Sequence, residues 1–132
     1  MSKKFNAQLL TPDGPLFEGE VISVQVPGTA GNFQMLHNHA PVVSSLGIGK
    51  ISLQTAENEE ITYAVSGGFV EMSKNQCTLL AEKAELSNEI DVTEAIKQRD
   101  ELRNLLKTIT QNREEAELEL AIAENRVKIA SF

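Results

Sequence analysis

Both histidines of this 132-residue chain sit in one stretch, Val26 to Pro41, arranged as His37-Asn38-His39. Two imidazoles spaced two apart on a strand point the same way, as two ligands of one metal must. The same stretch carries Pro27, Gly28, Gly31 and Pro41, residue types that shape a turn or loop. The single cysteine, Cys77, lies in Gln76-Cys77-Thr78-Leu79-Leu80. That apolar, strand-like setting favours a buried structural thiol over a reactive one.

Gly31, five residues and then His37-Asn38-His39 match the front half of the cupin metal motif. The motif next needs a glutamate where Val43 and Ser44 stand, and a third histidine that the chain does not have. Two imidazoles alone make a poor metal site. No serine sits in a Gly-x-Ser-x-Gly elbow, and no glycine-rich loop is built to cradle phosphate. The carboxylates fall mostly on helical faces, where solvated or paired charge is the ordinary outcome. The residues therefore lead to a non-enzymatic interaction protein, with no catalytic group, no cofactor and no metal. The two histidines then serve a shaped loop or a partner surface.

The formal net charge of −7 argues against a nucleic-acid partner, which calls for a basic face. No apolar run approaches the length of a membrane span, and Met1-Ser2-Lys3-Lys4-Phe5 lacks the apolar core of a signal peptide. The expectation is a cytoplasmic protein that meets a membrane only through partner proteins.

The elements follow from periodicity. Phe5, Ala7 and Leu9 alternate with Asn6 and Gln8, the pattern of a half-buried strand. Thr11-Pro12-Asp13-Gly14-Pro15 is turn chemistry, and Leu16-Phe17-Glu18 is a short strand at most. Ile22, Val24 and Val26 alternate inward, and Val42 to Leu46 is a short apolar run. Ile51 with Leu53, and Ile61 with Tyr63 and Val65, are two further in-phase strands. Ser66-Gly67-Gly68 breaks the second of these, a sign of a bulge or close backbone approach, and Phe69 to Met72 resumes it. Ser73-Lys74-Asn75 turns the chain, and Gln76 to Ala81 closes the β part. Many short strands with Gly/Pro turns indicate a sandwich or barrel.

After about residue 86 glycine and proline vanish and charge rises. Asp91 is placed to cap a helix, with Glu94 as its capping-box partner. Val92, Ala95, Ile96, Leu102, Leu105, Leu106 and Ile109 follow helical spacing. Asn112 with Glu115 reads as a second cap, opening a helix whose seam is Ala116, Leu120, Ala123 and Val127, with Leu118 and Ile122 beside it. The chain thus divides into a β domain, 1–86, and an α-helical hairpin, 88–132. The seam is rich in alanine, which buries far less than the ~1.5–3 kcal/mol of a leucine or isoleucine. A rival packing within a few kcal/mol is open to such a hairpin. Straightened, residues 91–129 would span roughly 58 Å.

Several motifs in order now carry a resemblance. Val24-x-Val26-Pro27-Gly28-x-x-Gly31, Leu36-x-x-His39-Ala40-Pro41, Gly49-x-Ile51, Gly67-Gly68-Phe69-Val70-Glu71, Leu80-Ala81-Glu82-x-Ala84-Glu85 and Ile90-Asp91 run through the chain. Together they resemble the epsilon subunit of bacterial F-type ATP synthases. The resemblance implies an all-β sandwich of about ten strands, followed by a C-terminal antiparallel two-helix hairpin. It implies a non-catalytic subunit of the central stalk, or rotor, on the cytoplasmic face of the bacterial inner membrane, coupling proton transport to ATP synthesis. The implied partners are the gamma subunit and the c-subunit ring for the sandwich, and the catalytic beta subunits for the helices. The extended hairpin would hinder ATP hydrolysis.

By the same resemblance, Gly31 and Asn32 fall at the foot on the ring, and His39 on the gamma-facing edge. The lining differs: Gln34-Met35-Leu36-His37-Asn38 stands where the family has Gly, two aliphatic residues, Pro and Gly. Arg99 and Arg103, with Lys97 and Lys107, would meet acidic beta-subunit surface, or else remain solvated and paired with helix-two glutamates. Some members bind ATP through Ile/Leu-Asp-x-x-Arg-Ala. Here Ile90, Asp91 and Ala95 keep the frame and Glu94 replaces the arginine. A carboxylate repels phosphate where a guanidinium would attract it, so ATP sensing is expected to be weak or absent. Two other classes stay open on residues alone: a free-standing sandwich with a helical oligomerisation tail, and a cupin-type metal enzyme.

Overall fold

The computed structural model describes residues 3–130. Met1 and Ser2, and Ser131 and Phe132 at the end of the expected hairpin domain, lie outside the described residues. Seven strands come first: β1 (Phe5–Thr11), β2 (Gly14–Gly28), β3 (Gly31–Met35), β4 (Val42–Ser45), β5 (Ile48–Thr55), β6 (Glu60–Ser73) and β7 (Gln76–Leu86). A 3₁₀ turn at Ser87–Glu89 leads into helices α1 (Val92–Leu106) and α2 (Arg113–Ile129).

The expected ten strands become seven because β2, β6 and β7 are long and serve both layers. The first half of β2 pairs with β1, and its second half with β5 and β3. The first half of β6 pairs with β5 and the second with β4, while β7 follows β6 throughout and takes β1 as a parallel neighbour near its start. Leu16-Phe17-Glu18 and the run from Glu20 thus belong to one strand. Likewise β7 continues past Ala81 to Leu86.

What permits a continuous β6 is Gly67-Gly68, at φ of 76° and 121°, backbone that side-chain-bearing residues rarely adopt. A Cβ on Gly68 would collide with the Leu80 carbonyl oxygen of β7. The expected break is a bend that hands the strand from one layer to the other.

Between the layers lie Leu9, Met35, Ile51, Leu53, Met72 and Leu79, all fully buried. Each contributes ~1.5–3 kcal/mol by leaving water. Phe5, Ala7, Val24, Val26, Tyr63 and Val65 point inward as their alternation requires. Ile22 does not. The β2–β5 register shifts between Val21 and Ser23, and this irregularity buries Val21 and Ser23 instead. Cys77 is fully buried, and burial pushes its thiol up to about 12.

The helices pack on each other antiparallel, and α2 lies against β5 and β6. Asp91 caps α1, accepting from the Glu94 amide at 3.1 Å. Asn112 does not cap α2. It is left-handed (φ 57°), and its side chain makes no capping bond. Instead Arg113 reaches back to the carbonyls of Leu106 and Ile109, at 2.7 and 3.2 Å, and closes the turn by satisfying the end of α1. The seam buries Ala95, Leu102, Ala116 and Ala123, whereas Val92, Ile96, Leu105 and Leu118 are exposed. No helix among the described residues is long and apolar enough to cross a membrane.

Gly68→Ala should lower the urea-unfolding free energy by ~3 kcal/mol, since it adds backbone strain to a clash with an immobile carbonyl. An unchanged midpoint would show that the bend does not need glycine.

Candidate functional site

The stretch that holds both histidines is less of a loop than its prolines and glycines suggest. Val26 to Met35 forms a tight hairpin, with Gly28 opposite Gly31 and Pro27 opposite Asn32. Thr29 and Ala30 make its tip, where Gly31 and Asn32 are exposed. The tip is braced from the side. The Thr29 amide donates to the Ser45 carbonyl at 3.1 Å, the two hydroxyls meet at 2.6 Å, and the Gly47 amide donates to Pro27 at 2.8 Å. Gly49 lies so close to Pro27 that a Cβ there would stand 2.6 Å from the proline's own.

Leu36 to Pro41 is the true loop. Asn75, in the β6–β7 turn, clamps it. Its side-chain oxygen accepts from the Asn38 amide at 2.7 Å, and its nitrogen donates to the Asn38 side chain at 3.0 Å. The same nitrogen approaches Nε2 of His37 at 3.5 Å. His39 donates from Nδ1 to the Ala40 carbonyl at 2.7 Å. The histidines are thus on a turn, not a strand, and each ring has a local partner. Among the described residues no three His, Cys, Asp or Glu side chains gather as a metal site would require.

One surface went unmarked in the sequence reading. Ser45, Phe69, Leu80 and Leu10 are register neighbours across β4, β6, β7 and β1, on the face opposite the core. Phe69 is 58% exposed, Leu80 50%, and Val43 on the adjoining row 69%. These are apolar residues out of phase with the inward Val70, Leu79 and Leu9. That off-phase hydrophobicity was the available signal: a solvated sheet face has no use for it. The loop bearing His39 leads into β4, where Val42 packs on the core and Val43 faces outward.

The hairpin residues separate into two groups. Arg99 pairs with Asp100 at 3.1 Å, and Arg103 with Glu124 of α2 at 2.9 Å, both within the hairpin. At the other end, Ile90 and Ala95 are buried with Ala64 and Ile129. Arg126 grips Glu85 of β7 through two bonds, 2.8 and 3.2 Å, and stands 3.9 Å from Glu94. The hydrogen bond to Glu85 is the main cause that holds its pKa above the ordinary arginine value. Beside it lies a groove of about 460 Å³, walled by Glu82, Glu85, Gln98, Ile122, Asn125 and Arg126 among others.

Residues 4–87 match the family model described as ATP synthase, Delta/Epsilon chain, beta-sandwich domain. The ATP synthase epsilon chain of Bacillus pumilus is 38% identical over 97% of this chain and 98% of its own length. That of Halalkalibacterium halodurans is 37% identical, over 95% and 96%. That of Priestia megaterium is 42% identical over 76% of each. Among solved structures, a chain of the Euglena gracilis mitochondrial ATP synthase (OSCP/F1/c-ring) superposes with a TM-score of 0.87 at 21% identity, covering 98% of this chain and 82% of that one. A chain of the Tetrahymena thermophila central stalk and c-ring gives 0.66 at 14%, covering 98% and 96%. At such identities these structures establish the shared fold.

Proposed function

The chain belongs to the ATP synthase epsilon-chain family, and from that membership we propose that it is a non-catalytic subunit of the central rotor. The sandwich, residues 1–86, docks on gamma and stands on the c-ring. The hairpin, residues 88–132, regulates. The subunit couples proton transport to ATP synthesis, and its only hold on the cytoplasmic face of the inner membrane is through the complex.

The observation that carries this reading is the exposed apolar pair Phe69 and Leu80, with Val43 on the adjoining row, beside the His39 loop. Side chains of this size left in water are what a permanent partner would cover. The braced tip at Gly31 and Asn32 is the candidate foot on the ring. It is stiffened by Ser45 and Gly47, as a part that transmits torque would need.

Regulation rests on the hairpin. Arg99 and Arg103 are proposed contacts to beta subunits. Both are engaged within the hairpin here, so meeting a partner would require exchanging Asp100 and Glu124 for it. ATP sensing is proposed to be weak or absent. Glu94 adds negative charge where phosphate would bind, and Arg126 is already neutralised by Glu85.

Three outcomes follow. Phe69→Asp with Leu80→Asp should weaken assembly with gamma by ~100-fold or more, since two large apolar side chains lose ~1.5–3 kcal/mol of burial each. Both sites are exposed in the free chain, so it should still fold. Undiminished co-purification with gamma would remove this face from the account. A chain ending at Ser87, reconstituted with the head, should hydrolyse ATP faster than the full-length chain while coupling persists; equal rates would end the inhibitory role. Titrating ATP into the free protein should give no saturable binding up to millimolar concentration, and a saturating isotherm would refute the Glu94 argument.

A further inference from the structure

Among the described residues, α2 holds the hairpin to the sandwich through side chains near its C-terminal end. Asn125, Arg126 and Ile129 share one face near its C-terminal end. Asn125 donates to the Gly49 carbonyl at 2.9 Å, Arg126 takes Glu85 with both arms of its guanidinium, and Ile129 is buried on Ala64 with Ile90. Toward the α2 N-terminus, contact gives way to the open groove beside Ile122. The apolar contribution to docking is therefore small: two isoleucines, Ala64 and Ala95, with Val127 and Ala130 at the rim.

Arg126 stands where three segments meet. Glu85 belongs to β7, Glu94 to the first turn of α1, and Arg126 to α2. Gln98 of α1 completes the ring, accepting from Nη1 at 3.5 Å. The Arg126 side chain is 19% exposed and Glu85's is 36%, so water screens the pair only in part. The fork-to-carboxylate geometry is the strong, directional form of an ion pair.

We propose that Arg126, held by Glu85 and Glu94, is an ionic latch that sets how much of the time the hairpin lies against the sandwich. Glu94 adds a second duty. At 3.9 Å and with its side chain 67% exposed, it ties α1 to the same guanidinium within the hairpin, more weakly than Glu85 ties α2 to the strand. Because the apolar contact is small and partly hollow, the latch makes a sizeable share of the docking energy. Raised ionic strength should favour the released hairpin. The consequence for regulation rests on the proposed role of the hairpin; the latch itself does not.

The test uses the full chain, free of any partner. Spin labels at Glu57→Cys and Glu119→Cys report the sandwich-to-hairpin distance, while buried Cys77 stays unlabelled. Arg126→Gln should raise the released population by about fivefold to tenfold. Glu85→Gln should do nearly the same, and the double variant no more than either alone, because the partners act as one unit. Glu94→Gln should leave the released population nearly unchanged, because that contact lies within the hairpin. Salt should increase release in the parent chain and leave the Arg126→Gln chain flat. An unchanged distance distribution in Arg126→Gln, or additive effects of the two substitutions, would overturn the latch. These readings need no ATPase. Failure of the inhibitory role in the Ser87 comparison is therefore a separate result.

Discussion

The bend of β6 at Gly67-Gly68 is the constraint on which the other features depend. A strand of 14 residues can belong to two layers only if its backbone turns where it passes between them. Two consecutive glycines at positive φ allow that turn, and the absent side chain of Gly68 lets β7 follow at full hydrogen-bonding distance. Past the bend, β6 supports β4 and turns Phe69 outward beside Leu80. Before it, β6 pairs with β5 and turns Ala64 toward the hairpin. One strand thereby supplies both the exposed apolar face and the seat of α2.

Most of this was legible in residue order. Period-two alternation located β1, β5 and the first half of β6, and the loss of glycine and proline marked where helices begin. Sequence reasoning failed where local signals have two physical solutions. The glycine pair is not such a case: the close backbone approach it signals is there, Gly68 against the Leu80 carbonyl of β7, and the strand resumes at Phe69. At Ile22 a register shift reversed the inward phase, which periodicity cannot foresee. Asn112 has the composition of a cap, yet Arg113 answers the same unsatisfied carbonyls from the other side of the turn. The site was half visible. Composition marked the stretch from Val26 to Pro41, and the resemblance singled out Gly31, Asn32 and His39 within it. The apolar row was hidden because Phe69 and Leu80 lie beside equally apolar inward residues, and a continuous hydrophobic run does not say which face is wet.

The hairpin obeys a different balance from the sandwich. The β layers enclose a dense core of large side chains, so their arrangement has no near rival. The helices meet through Ala95, Leu102, Ala116 and Ala123, and α2 touches the sandwich near Ile129. Such a unit can be rigid enough to have one preferred seat and loose enough to leave it. Placing charge rather than bulk at the contact gives a bond that is directional and breaks without tearing a core. The absence of an arginine at position 94 fits the same picture: the carboxylate there faces Arg126 of the chain itself, at 3.9 Å.

In the proposed function, Phe69 and Leu80, with Val43 on the adjoining row, form the face by which the subunit joins the rotor. A cryo-EM reconstruction of the ATP synthase carrying this chain tests it most directly. These three side chains should be covered by gamma, with His39 at the margin and the Gly31-Asn32 tip resting on the c-ring. A map in which the row faces solvent while another face of the sandwich meets gamma would contradict it.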